Sequence, residues 1–251
     1  MLWSAGLRYL HKTSLVAQPT FHPIHGEKMK VVLFDAMNLI HRSRNGFHKG
    51  DHPLTYQFFR SLKPLLEKLR PDLADFVLEG KPKHRSQVYD GYKSNRPSLP
   101  DSFWRQQGEI LNIMQHLPIV QIRHPDYECD DVIATLVKMH SQDGDESVII
   151  SSDSDFYQLL NLFDNCAIYN PVKKKMIEKP DYDYVTWKAL RGDPTDNIGG
   201  IPGCGDKTAD KLVRSRELLS EYLNKDPIRQ QIFERNVNLI RLVDFSDNIE
   251  E

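Results

Sequence analysis

Residues 127–160 read YECDDVIATLVKMHSQDGDESVIISSDSDFYQLL, and this stretch decides the fold. Its first half has apolar residues at helical spacing, and the run Val148–Ser151 predicts a short buried strand. Carboxylates stand where the helix begins and where the strand ends: Glu128, Asp130, Asp131, Asp153 and Asp155. A helix followed by a parallel strand brings these two ends together. Repulsion among so many carboxylates predicts a bound divalent cation with oxygen ligands.

The same carboxylates have simpler interpretations. Acidic residues are favoured at helix N-termini for capping alone, and Asp153-x-Asp155 could be a turn. A calcium loop is excluded, because Gln158 stands where that loop needs glycine. The metal interpretation therefore depends on further acids elsewhere in the chain.

Further acids follow two other predicted strands. The apolar run Lys30–Asp35 ends in Asp35, and Phe76-Val77-Leu78 leads into Glu79. Ligands of open α/β sheets gather at the carboxyl ends of parallel strands, where these acids and Asp153 would meet. Two more acids, Asp193 and Asp196, precede a glycine-rich turn, which brings the candidate metal ligands to nine.

The overall charge of the chain conceals a basic surface. The 251 residues carry 33 Lys and Arg against 35 Asp and Glu, a net charge of −2. If nine acids line one pocket, the rest of the chain carries about +7, which is compatible with a phosphate backbone. The three cysteines form no Cys-x-x-Cys pair and predict reduced thiols in an intracellular protein. No apolar run approaches the ~18 residues of a membrane span.

Residues 81–105 interleave basic and aromatic side chains, including Tyr89, Tyr92, Lys93 and Arg96. Such a mixture suits single-stranded nucleic acid, with charge on phosphates and rings under bases. A solvated loop with core aromatics explains it equally well. The helix predicted at 54–69 should be kinked or broken at Pro64.

A second candidate interface lies at Gly203-x-Gly205. A glycine turn between helices lets backbone amides approach a phosphate closely. Lys207 and Lys211 follow on the next helix. This pattern predicts a helix-hairpin-helix that holds duplex backbone.

With these motifs the chain resembles the 5′-nuclease family: phage 5′–3′ exonucleases, flap endonucleases and the 5′-nuclease domain of bacterial DNA polymerase I. The most specific motifs are Glu128-x-Asp130-Asp131, Asp153-x-Asp155, and Gly192-Asp193-x-x-Asp196 running into the hairpin. The resemblance implies an α/β fold, with a PIN-like, mostly parallel central sheet flanked by helices. A helical arch and a C-terminal helix-hairpin-helix region would complete it.

The resemblance also implies roles for individual residues. The first metal would be held by Asp35, Glu128, Asp130 and Asp153, and the second metal or its water shell by Asp131, Asp155, Asp193 and Asp196. Glu79 stands where the family usually has Asp, and we expect it to hold a metal-bound water. Lys83 and Arg85 would contact the scissile phosphate and act in catalysis with Asp130 and Asp153. DNA would be bound by Tyr89, Tyr92, Lys93 and Arg96 in the arch and by Gly203, Gly205, Lys207, Thr208 and Lys211 in the hairpin.

The implied activity is that of a structure-specific 5′ nuclease, a 5′–3′ exonuclease and flap endonuclease. It would hydrolyse DNA phosphodiesters with two Mg²⁺ ions, for which Mn²⁺ can substitute, and K⁺ would bind at the hairpin. Its partner would be DNA with a free 5′ end, a flap or a nick, and the protein would be a monomer with no membrane contact. A PIN-like ribonuclease and a catalytically inactive DNA-binding module stay open as alternatives. A dehalogenase-type phosphatase fits less well, because Tyr157 stands where that motif needs Thr.

Three regions are expected. Residues 1–29 would form a poorly ordered extension, 30–180 the nuclease core including the arch at 81–105, and 181–251 the DNA-binding region. An organelle transit peptide is the alternative interpretation of the extension. Otherwise the expected compartment is the cytoplasm of a bacterial or phage-infected cell.

Overall fold

The computed structural model describes residues 28–44 and 50–246, together with one short strand at Leu7–Tyr9. The extension predicted at 1–29 lies outside the described residues apart from that strand and residues 28–29. The strands are β1 (Leu7–Tyr9), β2 (Lys30–Asp35), β3 (Leu73–Leu78), β4 (Val120–Arg123), β5 (Glu146–Ile150), β6 (Cys166–Asn170), β7 (Lys175–Met176), β8 (Gly192–Asp193) and β9 (Ile198–Gly199). The helices are α1 (Ala36–Ser43), α2 (Pro53–Leu69), α3 (Lys83–Val88), α4 (Asp101–Met114), α5 (Cys129–Asp143), α6 (Tyr157–Leu162), α7 (Tyr184–Arg191), α8 (Asp206–Val213), α9 (Arg216–Asn224) and α10 (Pro227–Ile240).

Seven strands form one sheet in the order β1-β4-β3-β2-β5-β6-β7. All neighbouring strands are parallel except β6 and β7. The strands β3, β2 and β5 are therefore adjacent, and their carboxyl ends lie at one edge of the sheet. The predicted α/β class with a mostly parallel central sheet is confirmed.

Helices cover both faces of the sheet, because the central strands bury apolar side chains on both faces. Along β2, Val32 and Phe34 face one hydrophobic cluster, and Val31 and Leu33 face the other. The first cluster includes residues of α1, α2 and α4, and the second includes residues of α5 and α6. Burial on both faces explains why β2 shows a continuous apolar run rather than alternation.

The helix α2 runs without interruption from Pro53 to Leu69, so the predicted break at Pro64 is wrong. Pro64 lies on the exposed face. Water can therefore satisfy the carbonyl group that loses its hydrogen bond there, while Leu62 and Leu65 stay buried on the other face.

The C-terminal helices form a smaller module with its own core. Leu190, Ile201 and Leu212 belong to a cluster that joins α7, α8 and α9. The end of α10 is fastened to α7, because Asn236 Nδ2 donates to the carbonyls of Ala189 and Gly199 at 2.9 and 2.8 Å. This contact connects α7, the β8–β9 ribbon and the closing helix.

Candidate active site

The predicted acids lie along one edge of the sheet. Asp35 ends β2, Glu79 follows β3, and Asp153 follows β5. Glu128 is the N-cap of α5, which brings Asp130 into the same place in the first helical turn. The parallel order of the strands accounts for this convergence of residues that are far apart in sequence.

Hydrogen bonds fix the carboxylate of Asp35. The Asn38 backbone amide donates to Asp35 Oδ1 at 3.0 Å, and the Ser151 hydroxyl donates to Asp35 Oδ2 at 2.7 Å. Asn38 in turn accepts from the amide and the hydroxyl of Ser152. The ends of β2 and β5 are thereby held together beneath the acids.

Glu79 is positioned by the close approach of two chain segments. Its Oε2 accepts from the Cys129 amide at 3.3 Å, which satisfies a free N–H at the start of α5. The loop before α5 packs tightly against Gly80, the residue after Glu79. A Cβ at Gly80 would lie 2.0 Å from the His124 carbonyl oxygen and 2.2 Å from that of Tyr127. Only glycine fits there, so Gly80 sets the place of Glu79.

Arg85 has all of its observed partners inside the protein, and its predicted contact with the scissile phosphate stays a prediction. Its side chain is 3% exposed, and its guanidinium donates to Asp131 at 2.6 and 2.7 Å and to Glu128 at 2.8 Å. It also donates to the backbone carbonyls of Leu239 and Arg241. All of these partners lie inside the protein, so Arg85 joins α3, α5 and the end of α10.

Asp131 is bonded to protein groups in this structure, and its predicted role at the second metal or its water shell stays a prediction. Both of its carboxylate oxygens bond the Arg85 guanidinium, and Oδ1 accepts from the Val243 amide at 2.8 Å as well. Its oxygens are used in holding the C-terminal segment. Asp155, Asp193 and Asp196 are the acids that are left as potential ligands for a metal at the predicted second position.

Two arch residues reach into the acids. Lys93 Nζ pairs with Glu128 Oε1 and lies 3.7 Å from Asp196 Oδ2. The side chain of Arg96 is 51% exposed, and its Nη2 pairs with Asp196 Oδ1 at 2.6 Å. Burial disfavours the charged form of Lys93, but Glu128 and Asp196 raise its pKa above the ordinary value. The base of the arch thus places two cations at the acid pocket.

The arch tyrosines pack inward. Tyr89 and Tyr92 lie against the cluster formed by Val185, Ala189, Ile198, Leu239 and Ile240. The Tyr92 hydroxyl donates to Glu128 Oε2 at 3.0 Å. Both rings are partly buried in this structure, and their predicted contact with bases stays a prediction.

Lys83 lies on the other side of the arch base. Its Nζ pairs at 2.5 Å with Asp126, which is not one of the nine acids. It also lines a groove of about 430 Å³ together with Lys81, Pro82, Ser86 and Gln87. The predicted contact of Lys83 with the reacting phosphate stays a prediction, and Lys93 is the arch lysine that contacts the acids.

The densest group of acids is Asp155, Asp193 and Asp196. One carboxylate oxygen from each of these three residues lies within 4.8 Å of the other two. Among residues 28–44 and 50–246, this is the one group of potential metal ligands that lie so close together. Asp196 is positioned by a 3-10 turn at Pro194–Asp196. The Asp193 side chain caps the start of this turn by accepting a hydrogen bond from the Thr195 backbone amide. This group can hold a metal ion.

Sequence reasoning missed Lys188 in this group. Its Nζ pairs with Asp155 and, at 2.7 Å, with Asp193 Oδ2. Burial disfavours its charged form, but Asp155 raises the pKa of Lys188 above the ordinary value. A signal was present, because Lys188 follows Tyr184 by four residues and so lies on the buried stripe of α7.

Asp35, Glu79 and Asp130 bind protons more readily than ordinary carboxylates. Burial raises the pKa of Asp35 to about 6 and that of Glu79 to about 7. Burial, with the neighbouring Asp153 and Asp35, also raises the pKa of Asp130 well above its ordinary value. Metal ions bind the deprotonated carboxylates, so metal binding here releases protons.

Stabilisation by Mg²⁺ should therefore depend on pH. An acid with a raised folded pKa binds more protons folded than unfolded, so it lowers stability as pH rises from its unfolded to its folded pKa. For Asp35, a rise of the pKa from 3.8 to about 6 corresponds to a loss of roughly 3 kcal/mol of folding free energy. A bound cation removes this penalty. We expect the Tm difference with and without Mg²⁺ to be small at pH 5 and to grow towards pH 7.5.

Scanning calorimetry with EDTA or Mg²⁺ across this range measures that difference. His41 and His140, whose pKa values burial lowers, shift Tm alike in both samples and cancel. Asp35→Asn should flatten the pH dependence. An equal gain from Mg²⁺ at pH 5 and pH 7.5 would contradict the proton-linked binding.

The hairpin is open to solvent. Gly203 has φ +79°, and a Cβ at Gly203 or Gly205 would meet no atom within 4 Å. Gly205 is the N-cap of α8, whose residues Lys207 and Lys211 are exposed. The Trp187 indole donates to Asp210 at 2.6 Å, which ties α8 to α7. The hairpin thus has the exposed amides and charges that binding of a phosphate backbone needs.

Residues 30–188 match the family described as the 5′-3′ exonuclease, N-terminal resolvase-like domain. The chain belongs to this family. It is 32% identical over 230 residues to the thermostable DNA polymerase I of Thermus thermophilus and 33% identical over 233 residues to that of Thermus aquaticus. These alignments cover 84% and 85% of this chain but only 27% of each polymerase.

Solved structures show the same fold. The chain matches the 5′-exonuclease of phage T5 with bound divalent zinc ions at a TM-score of 0.69 and 22% identity. It matches the flap endonuclease of that phage, in a complex with DNA and metal ions, at 0.69 and 19%. Each comparison covers 85% of this chain and 89% of the other. In the part of the chain that the structure describes, no helix is long and apolar enough to cross a bilayer.

Proposed function

We propose that this protein is a structure-specific 5′ nuclease that hydrolyses DNA phosphodiesters at a free 5′ end, a flap or a nick. The observation that carries the proposal is the metal-ligating group of Asp155, Asp193 and Asp196 beside the acids at the ends of β2, β3 and β5. Membership of the 5′-3′ exonuclease family supports it. The exposed glycine hairpin supplies a place for the duplex.

The proposed cofactor is Mg²⁺ at two positions, with Mn²⁺ as a substitute. Asp35, Glu128, Asp130 and Asp153 would hold one ion, and Asp155, Asp193 and Asp196 the other. When bound, Mg²⁺ lowers the pKa of water and neutralises charge on the leaving oxygen. The K⁺ at the hairpin, the monomeric state and the cytoplasmic location stay predictions.

The protein's own side chains would bind and orient the substrate. Lys93 and Arg96 now neutralise Glu128 and Asp196, and a phosphate in the pocket would offer them a second anionic partner. Cations placed beside the reacting phosphate stabilise the charge that develops in the transition state. Ser151 and Asn38 keep Asp35 oriented through fixed hydrogen bonds, so little reorganisation is needed.

Three labelled substrates test the proposal: a 5′ flap, a nicked duplex and a single strand, each incubated with Mg²⁺ or EDTA. We expect Mg²⁺-dependent cleavage of the flap and the nick, and slower cleavage of the single strand. Cleavage of RNA but not of these DNA substrates would favour the PIN-like ribonuclease. Binding without cleavage would favour the inactive module.

Lys207→Ala should change the affinity for DNA, whereas Lys93→Met should change the rate of cleavage. Loss of a backbone contact at Lys207 should weaken duplex binding and lower the salt slope by about one unit. Loss of Lys93 should instead lower the single-turnover rate with little change in affinity. Salt titrations and single-turnover assays on both variants measure these effects.

Lys83→Ala is the comparison for Lys93→Met. If Lys83→Ala lowered the rate more than Lys93→Met, the phosphate contact would belong to Lys83, as the sequence predicts. If Lys207→Ala left affinity and salt slope unchanged, the hairpin would be a structural turn only.

A further inference from the structure

Lys188 brings a positive charge of the protein itself into the densest group of acids. The Lys188 side chain is 9% exposed, and its ammonium group contacts Asp155 and Asp193. These are two of the three acids whose ligand atoms lie within 4.8 Å of one another. An ammonium group with three N–H donors can satisfy carboxylates much as a metal ion does.

The helix that carries Lys188 is fixed at both ends. At its start, the Asp183 side chain accepts from the amides of Val185 and Thr186. Near its end, Ala189 is fully buried, and its carbonyl accepts from Asn236. The backbone at Lys188 therefore has little freedom to move away from the acids.

The other cations in the pocket are held differently. Arg96 is half exposed, and Lys93 lies in the turn region between α3 and α4 rather than within a helix. Neither is held in a helix as Lys188 is. Lys188 is buried within α7 and keeps its charge beside Asp155 and Asp193.

We propose that Lys188 is a tethered cation that competes with the second metal ion for Asp155 and Asp193. This inference rests on the proposed function, because it concerns the second of the two proposed ions. An incoming ion must displace the ammonium group or bind beside a like charge, and either costs affinity. DNA-free protein should therefore bind one divalent ion tightly and the second weakly. A DNA phosphate adds negative charge, so the second ion would bind more tightly with the substrate.

Mn²⁺ titration of the DNA-free full chain tests the competition, with free Mn²⁺ measured by electron paramagnetic resonance. The variants are Lys188→Met, which removes the charge, and Lys188→Arg, which keeps it. Removing a unit charge a few ångströms from the ion should raise the affinity for the second Mn²⁺ by at least about tenfold. Lys188→Arg should bind like the wild type.

Lys63→Met is the matched control, because Lys63 is an exposed lysine whose acidic partner, Glu67, lies 3.7 Å away on the surface of α2. It should leave both Mn²⁺ affinities unchanged. Calorimetry with and without Mn²⁺ checks the fold of each variant. Lys188→Met should lose Tm without Mn²⁺ and gain more from Mn²⁺ than the wild type does.

A Lys188→Met isotherm that matches the wild type, or a weaker second site, overturns the inference. Lys188→Gln serves as a second neutral variant, and failure of both to tighten the second site has the same meaning. If the wild type still binds one Mn²⁺ tightly and cuts a flap, only the role of Lys188 is refuted. If it neither binds Mn²⁺ nor cuts a flap, the proposed function fails as well.

Discussion

Asp130→Asn should lower the rate of flap cleavage by roughly a thousandfold or more, since loss of a metal ligand removes several kcal/mol of transition-state stabilisation. Burial and the adjacent Asp153 and Asp35 raise the pKa of Asp130, which indicates that the charged form is costly without a cation. The neutral amide relieves that repulsion, and it also repels a phosphate less. DNA affinity should therefore be unchanged or tighter.

Single-turnover cleavage in saturating Mg²⁺ and equilibrium binding in Ca²⁺ measure the two effects separately. Asp164→Asn is the matched control, because Asp164 is fully exposed and pairs only with the exposed Lys179 at 3.3 Å. It should leave both quantities near the wild-type values. Turnover of Asp130→Asn within tenfold of the wild type would contradict its role as a metal ligand.

The convergence of the acids was predictable from local sequence patterns. Asp35, Glu79 and Asp153 each follow a short apolar run, and such runs predict buried parallel strands. Parallel strands have only one carboxyl edge, so the three acids had to meet there.

The partners of these acids were not predictable in the same way. Lys93, Lys188 and Arg85 are separated by 35, 33 and 46 residues from the acids that they contact most closely. No helical or strand periodicity relates positions so far apart. A basic residue in a polar segment also has the same sequence pattern whether it faces solvent or a buried carboxylate. The interleaved aromatics at 81–105 were ambiguous for that reason.

The end of the chain shows a further limit of sequence patterns. Residues 239–245 contact the core through backbone groups, as when the Leu242 amide donates to Gln158 Oε1 at 3.0 Å and the Val243 amide to Asp131. Every residue except proline offers such an amide. Contacts made by backbone amides therefore cannot be predicted from the residue types. Leu239, Ile240 and Phe245 are exceptions, because their side chains are buried in the core, and the Phe245 ring stacks on Tyr127 at 4.2 Å.

Arg85→Met should destabilise the protein by about 3 to 5 kcal/mol, because it leaves the buried Asp131 without its counter-charge and the buried Glu128 with Lys93 as its remaining cation. Glu128 and Asp131 would lose their guanidinium partner, and the carbonyls of Leu239 and Arg241 would lose a donor. Urea denaturation at pH 7 in EDTA measures the free energy of unfolding. Hydrogen exchange should show that 239–245 becomes less protected.

Arg214→Met is the control for this prediction. Arg214 also pairs with an aspartate, Asp181, at 2.8 Å, but both side chains are exposed, and solvent screening leaves such a pair with little effect on stability. Adding Asp131→Asn to Arg85→Met should recover part of the lost stability, since it removes the stranded charge. If Arg85→Met were as stable as the wild type and only slower in cleavage, Arg85 would be a phosphate contact after all. The interior position of its guanidinium, beside two backbone carbonyls, argues for the structural role.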